Sequence, residues 1–372
     1  MIESFSVENY KNFRDRVKID FTKTKNYEFN NYLISNGMLN KVLLIGKNGT
    51  GKTNLGRALF DIVYTLTDLA TDQEQIDNAS FLNGFSDKRY AEFEYIFRLS
   101  GKRIIYRYRK TDPATIVYEE LVSDGERVFM RDGNLNSDYA GLKTIGADRL
   151  RVSNLADGRL SMLRYIENNT IQDDNSPVSL VMGFVKGMLY FRSTQDGNRF
   201  IGYSKNVETM DNYIIKNNLV DDFEDFLKKT GAIDMKLEAA KTVLGDILVQ
   251  KTGNKSLLFA SVASSGTKSL QLFYYWMKHF GNVTFLFMDE FDAFYHFELS
   301  LNILRSVSEQ TEFQSVLTSH NTALISNDLL RPDCYMVLDS GCIRTLPELT
   351  ARELRQGHNL EKMLRNGAFD EK

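Results

Sequence analysis

Cysteine and proline are nearly absent: the 372 residues hold two of the first and four of the second. Cys334 and Cys342 flank a short apolar run without C-x-x-C spacing, which argues against a disulfide framework or a zinc site and suits a reducing compartment, so a cytoplasmic location is expected. With 42% hydrophobic and 26% charged residues beside so little proline, disorder and low complexity are excluded as well. Neither sign of charge dominates. The formal net charge is −3, so any contact with DNA has to come from a local basic patch. No apolar run approaches the roughly 20 residues that span a bilayer, and the opening Met1-Ile2-Glu3-Ser4 is acidic and strand-like rather than a signal peptide, so no membrane partner is expected. Heptads sustained over several turns are missing too, which excludes long coiled-coil arms.

What is present begins at Gly46-Lys47-Asn48-Gly49-Thr50-Gly51-Lys52-Thr53, a complete G-x-x-x-x-G-K-T phosphate-binding loop. It follows the apolar run Val42-Leu43-Leu44-Ile45 and precedes the helix-like Asn54 to Phe60. Backbone N–H groups must wrap a β-phosphate here, and glycines let the chain turn tightly and approach closely. In that reading Gly46, Asn48, Gly49, Gly51 and Asn54 frame a nucleoside triphosphate, Lys52 reaches its β- and γ-phosphates, and Thr53 ligates Mg²⁺.

Alternation of apolar and polar residues predicts strands at Ile2 to Asn9 and Val17 to Phe21 across a turn, then an antiparallel meander from Tyr90 to Met130 punctuated by Gly101, Pro113 and Gly125. From about Gly141 to Thr252 the pattern turns mainly helical, with helices expected near Pro177 to Phe191 and Thr209 to Thr230, then a mixed stretch to Gln250. Strands and helices alternate again from Leu257 to Arg344, as a resuming parallel sheet requires. The expected division is 1–140 for the first half of a nucleotide-binding head, 141–255 for a mainly helical inserted lobe, 256–345 for the second half, and 346–372 for a tail.

Val283-Thr284-Phe285-Leu286-Phe287-Met288-Asp289-Glu290 is an apolar strand ending in two carboxylates, as a Walker B segment reads. Asp289 then holds Mg²⁺ through water, and Glu290 polarises the attacking water as general base. Upstream, Ser264-Ser265-Gly266-Thr267-Lys268 opens an amphipathic helix; taken alone this is an N-cap, and its helix terminus also suits an anion. Downstream, Ser315-Val316-Leu317-Thr318-Ser319-His320 is a strand with a polar tip, and His320, one of only four histidines, is placed to hydrogen-bond a γ-phosphate.

Phosphate loop, serine–glycine turn, Asp-Glu strand and strand-terminal histidine, in that order, resemble the ATP-binding cassette ATPases, in the branch that includes the SMC, RecF and OLD-family heads. The resemblance covers nearly the whole chain. It implies an α/β P-loop NTPase fold: an ABC-ATPase head with a mixed central sheet, an antiparallel β subdomain and a helical insertion. It implies ATP and Mg²⁺ as cofactors, and it makes Ser265, Gly266 and Lys268 the signature motif that binds the γ-phosphate of ATP held by an opposite subunit. Phe291 to His296 then match the D-loop, and His320 the switch histidine. Thr267 stands where the usual signature has a second glycine, and no glutamine is assigned to the Q-loop.

A compact head, an S-S-G-T signature and the tail Leu354-Arg355-Gln356-Gly357-His358-Asn359-Leu360-Glu361-Lys362 look like the ATPases of bacterial abortive-infection and anti-phage operons. That implies a homodimer or higher homo-oligomer governing a separate effector, a nuclease or other toxin, because the run after Arg344 is too short for the TOPRIM nuclease of OLD proteins. The alternative is a RecF-like DNA-repair ATPase. It draws on the basic, aromatic-laced Lys102 to Lys110, which also reads as ordinary charge on a solvated strand.

Overall fold

A computed structural model of the chain describes residues 1–69, 80–133, 136–155, 158–194, 198–203, 208–231, 233–242 and 245–369. Strand β1 (Ile2–Glu8) and strand β2 (Val17–Asp20) form the expected hairpin, and a minimal hairpin of β3 (Ile34–Ser35) and β4 (Met38–Leu39) leads into β5 (Lys41–Ile45), whose five residues are all buried. Helices α1 (Lys52–Leu59) and α2 (Asp61–Leu66) follow the phosphate loop. The meander is β6 (Ala91–Leu99), β7 (Lys102–Lys110), β8 (Ile116–Ser123) and β9 (Glu126–Asp132). Because β1 pairs antiparallel with β6, hairpin and meander become one six-stranded antiparallel sheet in the order β2-β1-β6-β7-β8-β9.

Helices α3 (Met162–Asn169) and α4 (Pro177–Lys186) precede β10 (Met188–Arg192) and β11 (Phe200–Gly202). Helices α5 (Met210–Lys216) and α6 (Val220–Gly231) lead to a three-stranded antiparallel sheet of β12 (Lys236–Thr242), β13 (Gly245–Thr252) and β14 (Lys255–Leu258). Then come α7 (Phe259–Val262), α8 (Ser265–Met277), β15 (Phe285–Asp289), α9 (Phe297–Ser308), β16 (Gln314–Ser319), β17 (Tyr335–Asp339), β18 (Cys342–Thr345) and α10 (Leu360–Arg365). The central sheet runs β11-β10-β15-β16-β5-β17-β18, with its five inner strands parallel and its two edge strands antiparallel. This is the mixed sheet expected. Among the described residues the longest helix, α8, has 13 residues, so no long coiled coil is present there.

The 141–255 lobe is corrected by this topology. Its residues Met188–Arg192 are a strand of the central sheet, paired in parallel with β15, and the stretch expected to be mixed after Thr230 holds β12 and β13. A helix expected to run from Pro177 to Phe191 stops at Lys186. The physical reason is burial on both faces: Met188 to Phe191 are all buried, and a strand so covered reads as a continuous apolar run, without the alternation that would separate it from the helix before it.

Helix α1 is clamped between the sheets. Tyr95 on β6 donates its hydroxyl to the carbonyls of Ala58 and Leu59 at 3.0 and 3.2 Å. On the opposite side a Cβ at Gly56 would stand 2.5 Å from the Phe287 ring of β15, so glycine alone lets the helix lie this close to the Asp-Glu strand. The buried carboxylate of Asp61 accepts from Tyr108 and Lys110, each at 2.8 Å, and ties α2 to β7. One side chain in this core carries a pH signature. Lys41 opens β5 only 3% exposed, donates to the Phe313 carbonyl and lies 4.4 Å from the Phe313 ring centre, and its burial pulls the ammonium pKa down to about 7. Below that pH the ammonium is charged in both states and the fold bears the full cost of burying it. Between about 7 and the ordinary lysine value the unfolded chain holds the extra proton, so stability rises with pH across that window. Lys41→Met is expected to raise the melting temperature at pH 7 and to flatten the rise between pH 7 and 10, a difference on the order of a few kcal/mol that melts at several pH values would measure.

Candidate functional site

The phosphate loop lies between the C-terminal end of β5 and the N-terminus of α1. Gly51 has φ +106°, and a Cβ there would fall 2.4 Å from Asn12 Nδ2; a side chain would meet both a left-handed backbone and the first turn of the chain. That turn, Asn9-Tyr10-Lys11-Asn12-Phe13, braces the loop. Asn12 donates to the Thr50 carbonyl at 3.3 Å and accepts from Asn54 Nδ2 at 2.6 Å. No side chain caps α1, which leaves its first N–H groups directed at the loop's concavity, the arrangement that favours an anion. Gly46, Asn48 and Gly49 complete the curve, with Asn48 and Gly49 exposed. Lys52 is buried and donates to the carbonyls of Gly46 and Lys47 at 2.6 and 3.1 Å. Burial lowers its pKa, and the carboxylates of Asp289, Glu290 and Asp292 only partly oppose that.

Thr53 donates its hydroxyl to Asp289 Oδ2 at 2.7 Å, across 236 residues of sequence. Asp289 is fully buried at the end of β15 and accepts from Thr318 at 2.7 Å and from Tyr190 at 3.3 Å. The next residue, Glu290, has φ +49°, a left-handed conformation that costs a non-glycine residue about 1 kcal/mol. Its backbone N–H is caught by the Thr318 hydroxyl at 2.8 Å. Its carboxylate accepts from Arg192 Nη2 at 2.8 Å and from Thr194 at 3.3 Å. Burial pushes the Glu290 pKa up, yet the Arg192 guanidinium and the Thr194 hydroxyl outweigh it and hold the carboxyl below the usual range, ionised at neutral pH.

His320 is exposed, and with Gly46, Lys47 and Leu338 it lines a cavity of about 530 Å³ beside the loop that the tail closes through Leu364, Arg365 and Phe369. The Leu354 to Lys362 tail is held in place by Asn327, whose Nδ2 donates to the carbonyls of Arg355, Gln356 and His358 at 3.0 to 3.1 Å. Asp292, the third residue after β15, accepts from Ser319 at 2.7 Å, and burial raises its pKa.

The serine–glycine turn is elsewhere. Ser264 caps α8 by accepting from the Thr267 N–H at 3.1 Å, while Ser265 and Lys268 are exposed. No hydrogen bond among the described residues joins 264–268 to 46–54. Gly266 packs under the Phe294 carbonyl, and Ser269 shares a 2.7 Å hydrogen bond with Tyr295, so the turn touches the segment after Glu290 and not the loop.

Residues 41–326 match the family described as "AAA domain, putative AbiEii toxin, Type IV TA system". The chain belongs to that family. As an AAA domain it is a nucleotide-binding ATPase, and the loop just described lies within the matched span. Solved structures similar to this AAA domain include an SMC head bound to the C-terminal winged-helix domain of ScpA (15% identity, 92% of this chain and 96% of that one, TM-score 0.44), the SMC head of Thermotoga maritima (13%, 92% and 98%, 0.41) and RecF with an ATP analogue (12%, 93% and 98%, 0.42). No curated protein matches it. Among its described residues no helix is long and apolar enough to cross a membrane.

Four side chains of this site escaped the sequence reading: Arg192, Thr194, Tyr190 and Thr318. The first three sit on or just after β10, which was not recognised as a strand. The Arg192–Asp289 pairing in the β10–β15 register exists only once the strands are aligned. Thr318 stood in plain view, two residues before His320 on a strand that the sequence marks, but its place beside the carboxylates needs the pairing of β15 with β16. The basic stripe resolves differently: Arg107 pairs with Glu94 and Glu120, and Arg109 pairs with Glu92 and stacks over Tyr90 and Tyr118. Its cations are spent across strands, which removes the sequence argument for a nucleic-acid track there.

Proposed function

We propose that this ATPase works as a Mg²⁺-dependent switch: two copies close face to face over two ATP molecules, and the closed or open pair governs a separate effector in abortive-infection defence against phage. The exposed signature turn carries the reading. Ser265 and Lys268 are exposed, and five exposed apolar side chains, each 38–45% exposed, lie in the segment leading into α8 (Leu257, Leu258, Val262) and in the segment after Glu290 that the turn touches (Phe294, Phe297). Apolar surface gathered beside polar anion ligands is what a second copy would cover.

Within one copy, Lys52 and the free N–H groups of α1 receive the β- and γ-phosphates. Thr53 and Asp289 bring hard oxygen donors within 2.7 Å of each other, a set that fits Mg²⁺. The ion supplies charge neutralisation of the phosphates. Glu290, held ionised, takes the proton of the attacking water, and His320 donates to the γ-phosphate from the loop's open side. The partner's Ser265 and Gly266 complete the shell. Hydrolysis removes the γ-phosphate that bridges the copies, so the pair opens. The defence role is supported by the AbiEii description of the family and by the resemblance of the tail, and co-purification with the products of neighbouring genes tests it.

Mixing two dead variants tests the composite site. Lys52→Ala ruins one loop and Ser265→Arg ruins one signature, so each homodimer is expected to be inactive, whereas the mixed dimer keeps one site in which both halves are intact. Recovery of ATPase activity on mixing is the expected result. Full activity in Ser265→Arg alone, or no recovery on mixing two folded and inactive variants, would overturn the shared site.

A further inference from the structure

Arg192 is a charged residue of this site with no role in the mechanism above. Its guanidinium reaches Glu290 Oε2 through Nη2 at 2.8 Å, and its Nε stands 3.5 Å from Asp289 Oδ2, so one fork spans both carboxylates. The fork is half made. Nε is buried and has no hydrogen-bond partner, since 3.5 Å to Asp289 is charge contact without a hydrogen bond. The other local cation, Lys52, spends its hydrogen bonds on the carbonyls of Gly46 and Lys47 and acts on these carboxylates only through its charge, which leaves Arg192 as the cation in direct contact with two adjacent carboxylates, one of them fully buried.

We infer that Arg192 is a metal-off latch: a positioning residue that stands in for the divalent cation at Asp289, holds Glu290 against itself, and gives up both when the cation enters. The inference rests on the reading of Asp289 and Glu290 as the metal and base carboxylates. Its physical basis is competition for one oxygen. Asp289 Oδ2 already serves Thr53, Tyr190 and the Arg192 charge, and a divalent ion drawn to the Thr53–Asp289 pair repels a guanidinium 3.5 Å from the same oxygen. With Arg192 displaced, Glu290 loses its 2.8 Å partner and its carboxylate becomes available to water. The base is thereby armed only when the metal is present, and idle Glu290 in the metal-free chain is kept from acting. Thr194, which also donates to Glu290, keeps the carboxylate near its place through the exchange.

Mn²⁺ titrated into nucleotide-free protein, followed by electron paramagnetic resonance, reads this competition without any turnover. Arg192→Ala and Arg192→Gln are both expected to bind Mn²⁺ roughly fivefold or more tightly than wild type, since they remove the competing charge. Arg192→Lys keeps the charge and should stay within about twofold of wild type. Unchanged or weaker Mn²⁺ binding in both neutral variants overturns the latch, as does the absence of Mn²⁺ binding in all four proteins. The Gln variant retains length and polarity and serves if the Ala variant fails to fold. A fluorescent ATP analogue added to wild type in parallel checks the underlying site: no binding of the analogue would sink the assignment of the loop, while the Mn²⁺ comparison would still judge Arg192.

Discussion

Lys52→Ala is expected to abolish nucleotide binding in the micromolar range, with affinity falling about a hundredfold or more. Lys52 is the one cation at the mouth of the loop whose side chain is buried with it, and its ammonium hydrogen-bonds the two carbonyls that shape the loop's first turn. Those carbonyls hold it in the unliganded protein. They cannot match a phosphate that carries full charge, so the ammonium is free to exchange its partners when ATP arrives. Truncating a buried, charged partner of this kind costs about 2–5 kcal/mol, and each 1.4 kcal/mol is a factor of about ten in affinity. Burial also lowers the Lys52 pKa, so binding should tighten as pH falls and the lysine becomes fully protonated, a trend the alanine variant should lose. Isothermal titration of both proteins with ATP measures the difference, and a melting curve guards against misfolding. An alanine variant that binds ATP as wild type does would remove the phosphate loop from the site.

Much of this architecture was legible because it is local. A glycine-rich loop after a buried strand announces itself within eight residues, and the alternation in Tyr90 to Leu99 gives β6 directly. The Asp-Glu pair ends an apolar strand, which locates it at the sheet's functional edge. What was hidden is relational. The run from Met188 to Phe191 is apolar on both faces, so nothing in its pattern distinguishes it from the helix before it, and with it the whole second flank of the Asp-Glu strand went unseen. The basic stripe read two ways for the same reason: Arg107 and Arg109 look free until the register sets Glu94, Glu120 and Glu92 opposite them. Ser265 illustrates the reverse case: within one copy it stands apart from the loop, and only the proposed pairing of two copies would give its serine–glycine turn a ligand.

Glu290→Gln should leave ATP binding within a few-fold of wild type and slow hydrolysis by about a hundredfold to ten-thousandfold. The amide keeps the length of the side chain and can still accept from Arg192 and Thr194, the two groups that hold the carboxylate now. The left-handed backbone at Glu290 and its N–H bond to Thr318 do not depend on the carboxylate and should survive. What vanishes is a base held ionised at neutral pH. If the γ-phosphate bridges two copies, a protein that binds ATP but cannot cleave it should accumulate as the closed pair. Native mass spectrometry in ATP and Mg²⁺ would then show a dimer, or a higher assembly carrying a second polypeptide when the neighbouring genes are co-expressed. A bare dimer under those conditions would favour a self-sufficient ATPase over one that governs an effector. Hydrolysis at the wild-type rate would sink Glu290 as the base and pass that role to Asp292, whose carboxyl burial holds above the usual carboxylate range and whose Oδ1 is buried without a hydrogen-bond partner.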